Sequence, residues 1–409
     1  MRFSALYNPE IRRNQDLSDI AASSKKIRVA HLLSGNDKVW GGVENYVHNL
    51  VTATNMNAIH TTVICTESGI ISQKFISSKF DVRILPIKGY FDLVSIARLS
   101  KLLQANDIDL VHAHLGLDSF VGAFAAKLVK KPIIVSVHFD QPNYMSYNSL
   151  LRQLWNTAQK FKNTLVAHFL PITENVASEL MKRESVPREK ITIIYPGIPT
   201  PTIDRSCRMR TRTELGCDES DLVVVAVGRL EQEKNLSCLI ESIAKIKNSP
   251  HVKVWLIGEG SQRQALMDLV ERLNLQNSVT LLGYRTDVQN LLASADIFVL
   301  PSKAEAFGMA AVEAMIAELP VISTLVPGPR MIVEPEVTGI LVPPDDSDAL
   351  AEALDRLIED PDLRQRFASA GKKRALSLFT SEAMSEKIVK VYEDVFKGLD
   401  KPGCELSHR

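Results

Sequence analysis

Glu305 and Glu313 stand on either side of Phe307-Gly308, in the stretch Glu-Ala-Phe-Gly-Met-Ala-Ala-Val-Glu. One carboxylate before a helix start and another about two turns into it could bracket a single ligand and accept hydrogen bonds from its hydroxyls. Sugars and ribose are dense in such hydroxyls. The apolar run 297–300 leads into this stretch, so free N–H groups and the positive end of a helix dipole fall at a strand's carboxyl end, where a phosphate binds. A plainer role also fits these two residues, with Glu305 capping the helix and Glu313 on its surface. A second loop shifts the balance. The run 222–227 ends in Gly228-Arg229-Leu-Glu-Gln-Glu-Lys234-Asn235. Arginine can grip a phosphate through two parallel N–H bonds and lysine adds a compact charge, the pair that a diphosphate leaving group needs.

Earlier in the chain, Trp40-Gly41-Gly42-Val43-Glu44 follows the run 27–33, and paired glycines let backbone approach a ligand before a helix starts. His112, His114 and His138 fall at the ends of the runs 110–113 and 133–137. His112 and His114 alternate along a strand and share one face, as a metal pair would, but no third ligand is evident. No metal is expected. Asp107-Ile-Asp109 has the DxD pattern of metal-dependent sugar transfer, yet it precedes a strand and reads as a helix-to-strand loop, while Asp345-Asp346 reads as a turn.

These loops need elements to carry them. Apolar runs at 27–33, 62–65, 110–113 and 133–137 alternate with helical patterns at 43–52, 93–104 and 119–129. That grammar predicts buried parallel strands in a βαβ array. It restarts after Tyr195-Pro-Gly-Ile-Pro-Thr-Pro with runs at 222–227, 253–258, 279–282, 297–300 and 320–323. Three prolines in seven residues cannot continue a helix or an inner strand, so the domain boundary is placed there. A helical pattern at 381–396, with apolar Met384, Ile388, Val391, Tyr392 and Phe396, closes the chain.

At 409 residues the chain exceeds one ordinary core, and 45% hydrophobic with 23% charged residues is the balance of a folded globular protein. The five cysteines are scattered and never spaced CxxC, which argues against a disulfide framework or zinc site and for a reducing cytosol. No apolar core of a signal peptide opens the chain, and no run approaches the ~20 apolar residues of a span. The net charge is zero, yet the first 200 residues hold 23 Lys+Arg against 16 Asp+Glu. Such a basic half could steer an anionic acceptor or a lipid surface. A neutral chain without a basic aromatic surface gives no support for nucleic-acid binding.

GGVE at 41–44, GRLEQEK at 228–234, GEG at 258–260 and EAFGMAAVE at 305–313 together resemble glycosyltransferase family 4, from about residue 26 to 396. The specific part is the E-x7-E motif of this retaining family. The resemblance implies a GT-B fold, two doubly wound Rossmann-like domains facing a central cleft. Residues 1–200, with 1–25 as an extension, would receive the acceptor; 201–378 would hold the nucleotide sugar; a helix within 379–409 would cross back onto the first domain. By position, Glu305 would bind the donor sugar and Glu313 the ribose. Arg229 and Lys234 would take the diphosphate, helped by Gly228, Gly258 and the segment Ala306, Phe307, Gly308, Met309. Gly42 would approach the phosphates on closure, and His138 would contact the donor sugar. His138, Arg229, Lys234 and Glu305 are thus the candidate catalytic residues. Relatives carry glycine where Glu318 stands and a G-G-x-x-E loop where this chain reads Pro327-Gly-Pro-Arg-Met331.

The implied activity is retaining, metal-independent transfer from a nucleotide sugar such as a UDP-sugar to a glycan or lipid-linked acceptor, in cell-surface polysaccharide or glycolipid synthesis. A UDP-sugar 2-epimerase and a non-catalytic sugar-nucleotide-binding protein are the alternatives; conversion of donor to its epimer without acceptor, or binding without turnover, would mark them. Residues 147–162 place Leu150, Leu151, Leu154, Trp155, Ala158 and Phe161 on one helical face with Arg152 and Lys160 opposite. That face suits packing on its own sheet or contact with an anionic membrane. The expected location is cytoplasmic, with peripheral contact at the inner face of the plasma membrane.

Overall fold

The computed structural model describes residues 26–34, 41–54, 59–138, 149–247 and 251–399; the extension at 1–25, Trp40, and positions 147 and 148 of the amphipathic run lie outside them. The first half runs β1 (Ile27–Leu33), α1 (Gly42–Thr54), β2 (Ile59–Cys65), α2 (Ile70–Ser77), β3 (Asp81–Ile84), α3 (Leu93–Ala105), β4 (Leu110–Ala113), α4 (Gly116–Leu128), β5 (Ile133–Val137), α5 (Ser149–Leu165), β6 (His168–Pro171) and α6 (Glu174–Glu184). The second runs α7 (Arg208–Glu214), β7 (Leu222–Val227), α8 (Leu236–Ile243), β8 (Val252–Ile257), α9 (Arg263–Arg272), β9 (Val279–Gly283), α10 (Val288–Ser294), β10 (Ile297–Leu300), α11 (Met309–Ile316), β11 (Val321–Thr324), α12 (Pro329–Ile332), β12 (Gly339–Val342), α13 (Ser347–Glu359) and α14 (Pro361–Leu378). It ends in α15 (Ser381–Leu399).

Each half folds around a six-stranded parallel sheet, ordered β3-β2-β1-β4-β5-β6 and β12-β11-β10-β7-β8-β9. Both orders reverse direction beside their first strand, the switch point where open α/β sheets hold ligands. Central strands are covered on both faces, as Val223, Val224, Val225 and Ala226 of β7 show. Hence they read as unbroken apolar runs. Three edge or near-terminal strands, β3, β6 and β12, were not among the expected runs. Asp346, expected in a turn, caps α13 by accepting from the Ala349 N–H at 2.9 Å.

The Pro-rich connector and the start of α15 lie side by side where the chain passes between the halves. The Ile198 N–H donates to the Phe379 carbonyl and the Ser381 N–H to the Ile198 carbonyl, both at 2.9 Å. A Cβ on Gly197 would stand 2.4 Å from the Thr380 carbonyl oxygen, so only glycine allows this approach. Beyond it, Met384, Ile388, Val391 and Tyr392 bury among Tyr46, Val47 and Leu50 of α1, which makes α15 part of the first half's core.

Glu318 has φ +63 at the end of α11, the left-handed geometry that favours glycine. Its carboxylate accepts from Arg205 at 3.2 Å and Lys372 at 3.1 Å. Strain of about 1 kcal/mol is set against two partly exposed ion pairs worth about 0–1 each. Glu318→Gly is therefore expected to change unfolding free energy by less than about 1 kcal/mol, whereas Glu318→Ala keeps the strain, loses the pairs and falls below it. Urea melts of the two variants measure the difference.

Candidate active site

At its switch point the second sheet places β7 beside β10, with Ile297 opposite Val224 and Phe298 opposite Val225. The loops leaving their carboxyl ends, 228–235 and 301–308, are thereby brought together. In the first half β1 lies beside β4 and β4 beside β5, so the Gly42 loop and His138 share an edge. A cavity of about 490 Å³ lies between the halves. Its walls include Gly42, Tyr46 and His138 from one side and Gly228, Arg229, Lys234, Glu305, Ala306, Phe307, Gly308 and Met309 from the other. That volume suits a ligand of nucleotide-sugar size.

Lys234 ends a short 3-10 turn, Gln232–Lys234, and Asn235 at φ +52 swings the chain into α8. The lysine ammonium meets the Glu305 carboxylate at 2.5 Å, with both side chains mostly covered. Arg229 is 72% exposed and ion-paired to Glu233, four residues along, at 2.8 Å. So both cations are held by carboxylates at the cavity's rim, and an anion entering it competes for them. Gly308, at φ +106, precedes α11, and no side chain caps that helix start. Phe307 is pinned edge-on to Phe379 with centroids 5.6 Å apart, which fixes the loop's height over the sheet.

Two predicted residues stand apart from the cavity wall. Gly258, at φ +139, lies under the 228 loop, where a Cβ would come within 1.9 Å of the Gly228 carbonyl oxygen. The missing side chain lets the two loops pack closely there. Glu313 sits two turns into α11, and burial pushes its carboxyl from 4.5 to about 7. Gly328 was missed by sequence reasoning. Its N–H donates to the Glu305 carbonyl at 3.1 Å, and a Cβ would meet the Glu305 and Phe307 carbonyls at 2.6 Å. The Gly between two prolines in Pro327-Gly-Pro was the available signal.

The histidines differ from expectation. The pair His112 and His114 has a third neighbour, His31 of β1, opposite His112 in register, and ligand atoms of all three lie within 4.8 Å. Four of the six ring nitrogens are engaged with one another or with hydroxyls, while His31 Nε2 and His114 Nδ1 have no partner. His31 Nδ1 and His114 Nε2 are 3.0 Å apart, while His112 lies between the Tyr392 hydroxyl at 2.6 Å and the Ser136 hydroxyl at 2.8 Å. Burial holds all three rings well below the usual histidine range, so they are neutral. His138, lowered to about 3 by burial, is neutral too and lies edge-on to Tyr46 at 4.6 Å. A histidine within the β1 run gave no hint of its strand partner 81 positions away.

The amphipathic face of α5 is partly used within the fold: Trp155 packs at 4.8 Å from Tyr90 and 6.1 Å from Phe120. Phe161, on the same face, stays 56% exposed. Asp109 accepts from the Arg28 N–H at 3.1 Å at the amino end of β4, away from the carboxyl-end cavity. Among the described residues no helix is long and apolar enough to cross a membrane.

The family model "Glycosyltransferase Family 4" matches residues 40–201, and "Glycosyl transferases group 1" matches 208–374, the two meeting at the Pro-rich connector. The chain belongs to the family 4 glycosyltransferases. The transferase is 25% identical over 320 residues to the N-acetyl-alpha-D-glucosaminyl L-malate synthase of Bacillus anthracis, covering 76% of this chain and 81% of that one. It is 28% identical to the UDP-Gal:alpha-D-GlcNAc-diphosphoundecaprenol alpha-1,3-galactosyltransferase of Escherichia coli, covering 83% and 90%. Its fold matches the crystal structure of HepE of Anabaena in complex with UDP, with a TM-score of 0.78 at 22% identity over 90% of this chain and all of that one. The fold is GT-B.

Proposed function

We propose that this glycosyltransferase moves a sugar, with retention and without a divalent ion, from a UDP-sugar to an anionic or lipid-linked acceptor in cell-surface polysaccharide or glycolipid synthesis. The observation that carries the reading is the cluster of Arg229, Lys234 and the uncapped start of α11 on one wall of the cleft, with His138 and Gly42 facing it. These groups would stabilise the charge that a departing diphosphate gains. Arg229 and Lys234 there supply what a metal supplies in other transferases, and the Asp107-Ile-Asp109 pair stands at the opposite strand ends.

In the resting cleft Lys234 and Glu305 satisfy one another. A donor's diphosphate would draw the ammonium away and free Glu305 to accept from sugar hydroxyls, so one ligand rearranges both partners. Glu313 would accept from the ribose and ionise as those hydroxyls arrive. Retention follows from attack on the face the diphosphate leaves, with the phosphate taking the acceptor's proton. Neutral His138 donates or accepts a hydrogen bond without carrying charge to an oxocarbenium-like centre. The acceptor would be received by the first half, with Phe161 as a point of membrane contact.

Melting in EDTA with UDP-, GDP- and ADP-sugars tests this reading. A UDP-sugar at 100 times its dissociation constant should stabilise by about 2.7 kcal/mol, with no added divalent ion. Stabilisation by another nucleotide, or only after a divalent ion is added, would contradict it.

A further inference from the structure

His138 also lines a second cavity, of about 30 Å³, wholly within the first half. It is formed where the carboxyl ends of β4 and β5 meet the start of α4 and the side of α5, with His114, Gly116, Lys162 and Glu184 in its wall. Lys162 is only 4% exposed. Among the described residues it donates no hydrogen bond and has no carboxylate within ion-pairing distance; its ammonium lies over the Phe169 ring, 5.9 Å from the centroid. A buried ammonium without an acceptor is costly, and burial holds its pKa below the ordinary lysine value.

Other walls of the recess are also rich in donors. The first turn of α4 has no side chain from its N-cap Leu115 to close it; Asp118 there accepts from the Ser34 N–H at 2.8 Å and from the Leu115 N–H. The start of this 13-residue helix therefore presents its amides and positive dipole end beside Leu115 and Gly116. His114 Nδ1 is buried with no partner. The one acidic wall residue, Glu184, is occupied in accepting from Asn163 Nδ2 at 2.8 Å. Cation, helix end and imidazole thus converge on the recess, where the Glu184 carboxylate acts on Lys162 from the wall without pairing with it directly.

We propose that this recess binds the oxyanion end of the acceptor, a carboxylate or phosphoryl group, received by Lys162, the α4 amides and His114. Its size admits about two water-sized groups, which is the charged end of a molecule and not a whole one. The rest of the acceptor passes His138, the wall common to both cavities, and reaches the donor sugar. The inference rests on the transferase reading for the word acceptor, while the anion site itself stands on Lys162 and its neighbours. Two relatives are named for acceptors of this chemistry, L-malate and a diphosphoundecaprenol-linked sugar.

Calorimetric titration of the full-length protein with inorganic phosphate and, separately, with malonate tests the site in wild type, Lys162→Met and Lys234→Ala. At least one probe should bind wild type, and which one identifies carboxylate or phosphoryl. At the recess Lys162→Met should weaken binding about tenfold or more and Lys234→Ala should leave it within about twofold, any anion held by Lys234 in the cleft being a separate class of site that Lys162→Met keeps. Methionine fills the lysine's volume without a charge, so in anion-free buffer Lys162→Met should melt no lower than wild type. The proposal is overturned if neither anion binds, if Lys162→Met binds as wild type does, or if binding is lost only in Lys234→Ala. A lower melting temperature for Lys162→Met would overturn it as well, by making Lys162 a structural partner of Glu184. Failure of UDP-sugars to bind would count against the donor reading alone.

Discussion

Lys234→Ala is expected to lower kcat by about 10²- to 10³-fold, the usual cost of deleting a donor aimed at developing charge. Two effects must be separated. The substitution leaves the Glu305 carboxylate, mostly covered, without its 2.5 Å partner, and such an orphan destabilises the fold. That loss appears in the melting temperature and not in the rate of protein still folded. The rate loss comes from the diphosphate, which then leaves against less positive charge. Because Lys234 and Glu305 contact one another, Lys234→Ala with Glu305→Ala should cost less than the two single losses combined. Steady-state kinetics on variants held well below their melting points would show this. Purely additive losses would mean the pair does not act together on one ligand.

Glu313→Gln should stabilise the ligand-free enzyme at high pH while weakening donor binding. The folded-state carboxyl titrates near 7 and the unfolded one near 4.5. Between those values the native protein keeps a proton that the unfolded chain has released, so stability falls as pH rises through that window. Above 7 the deficit levels off at up to about 3 kcal/mol. Glutamine cannot ionise. The variant's advantage should therefore be near zero at pH 4.5 and largest at pH 8, as read by denaturant melts at both. If Glu313 takes the ribose as proposed, donor affinity should drop about tenfold, because a neutral amide would replace the carboxylate that accepts from those hydroxyls. Equal stability at pH 8 would show that burial does not strain this carboxylate.

Central strands were readable because they are buried on both faces: β1, β4, β5, β7 and β10 match their apolar runs residue for residue. The strands missed are short or polar. Asp81–Ile84 lies at a sheet edge with none of its four residues fully buried, and it carries the polar Asp81 and Arg83. The site loops were legible because loops at strand carboxyl ends need glycines and charges that strands exclude, as in Gly228-Arg229 and Glu305-Ala306-Phe307-Gly308. What was illegible depends on pairing between distant strands. His31 meets His112 only because β1 adjoins β4, and Lys162 gains its meaning only from the helix start packed against it. Glu313 reads as a partner of Glu305 by spacing, yet burial separates their electrostatics.

Proton NMR of donor turnover in EDTA tests the central claim most directly. With a UDP-α-sugar, wild-type enzyme should release UDP and form a product whose anomeric doublet retains the α configuration. Glu305→Ala and Lys234→Ala, still folded, should lose nearly all of that signal. An inverted product, or full turnover in both variants, would contradict the assignment of this cleft.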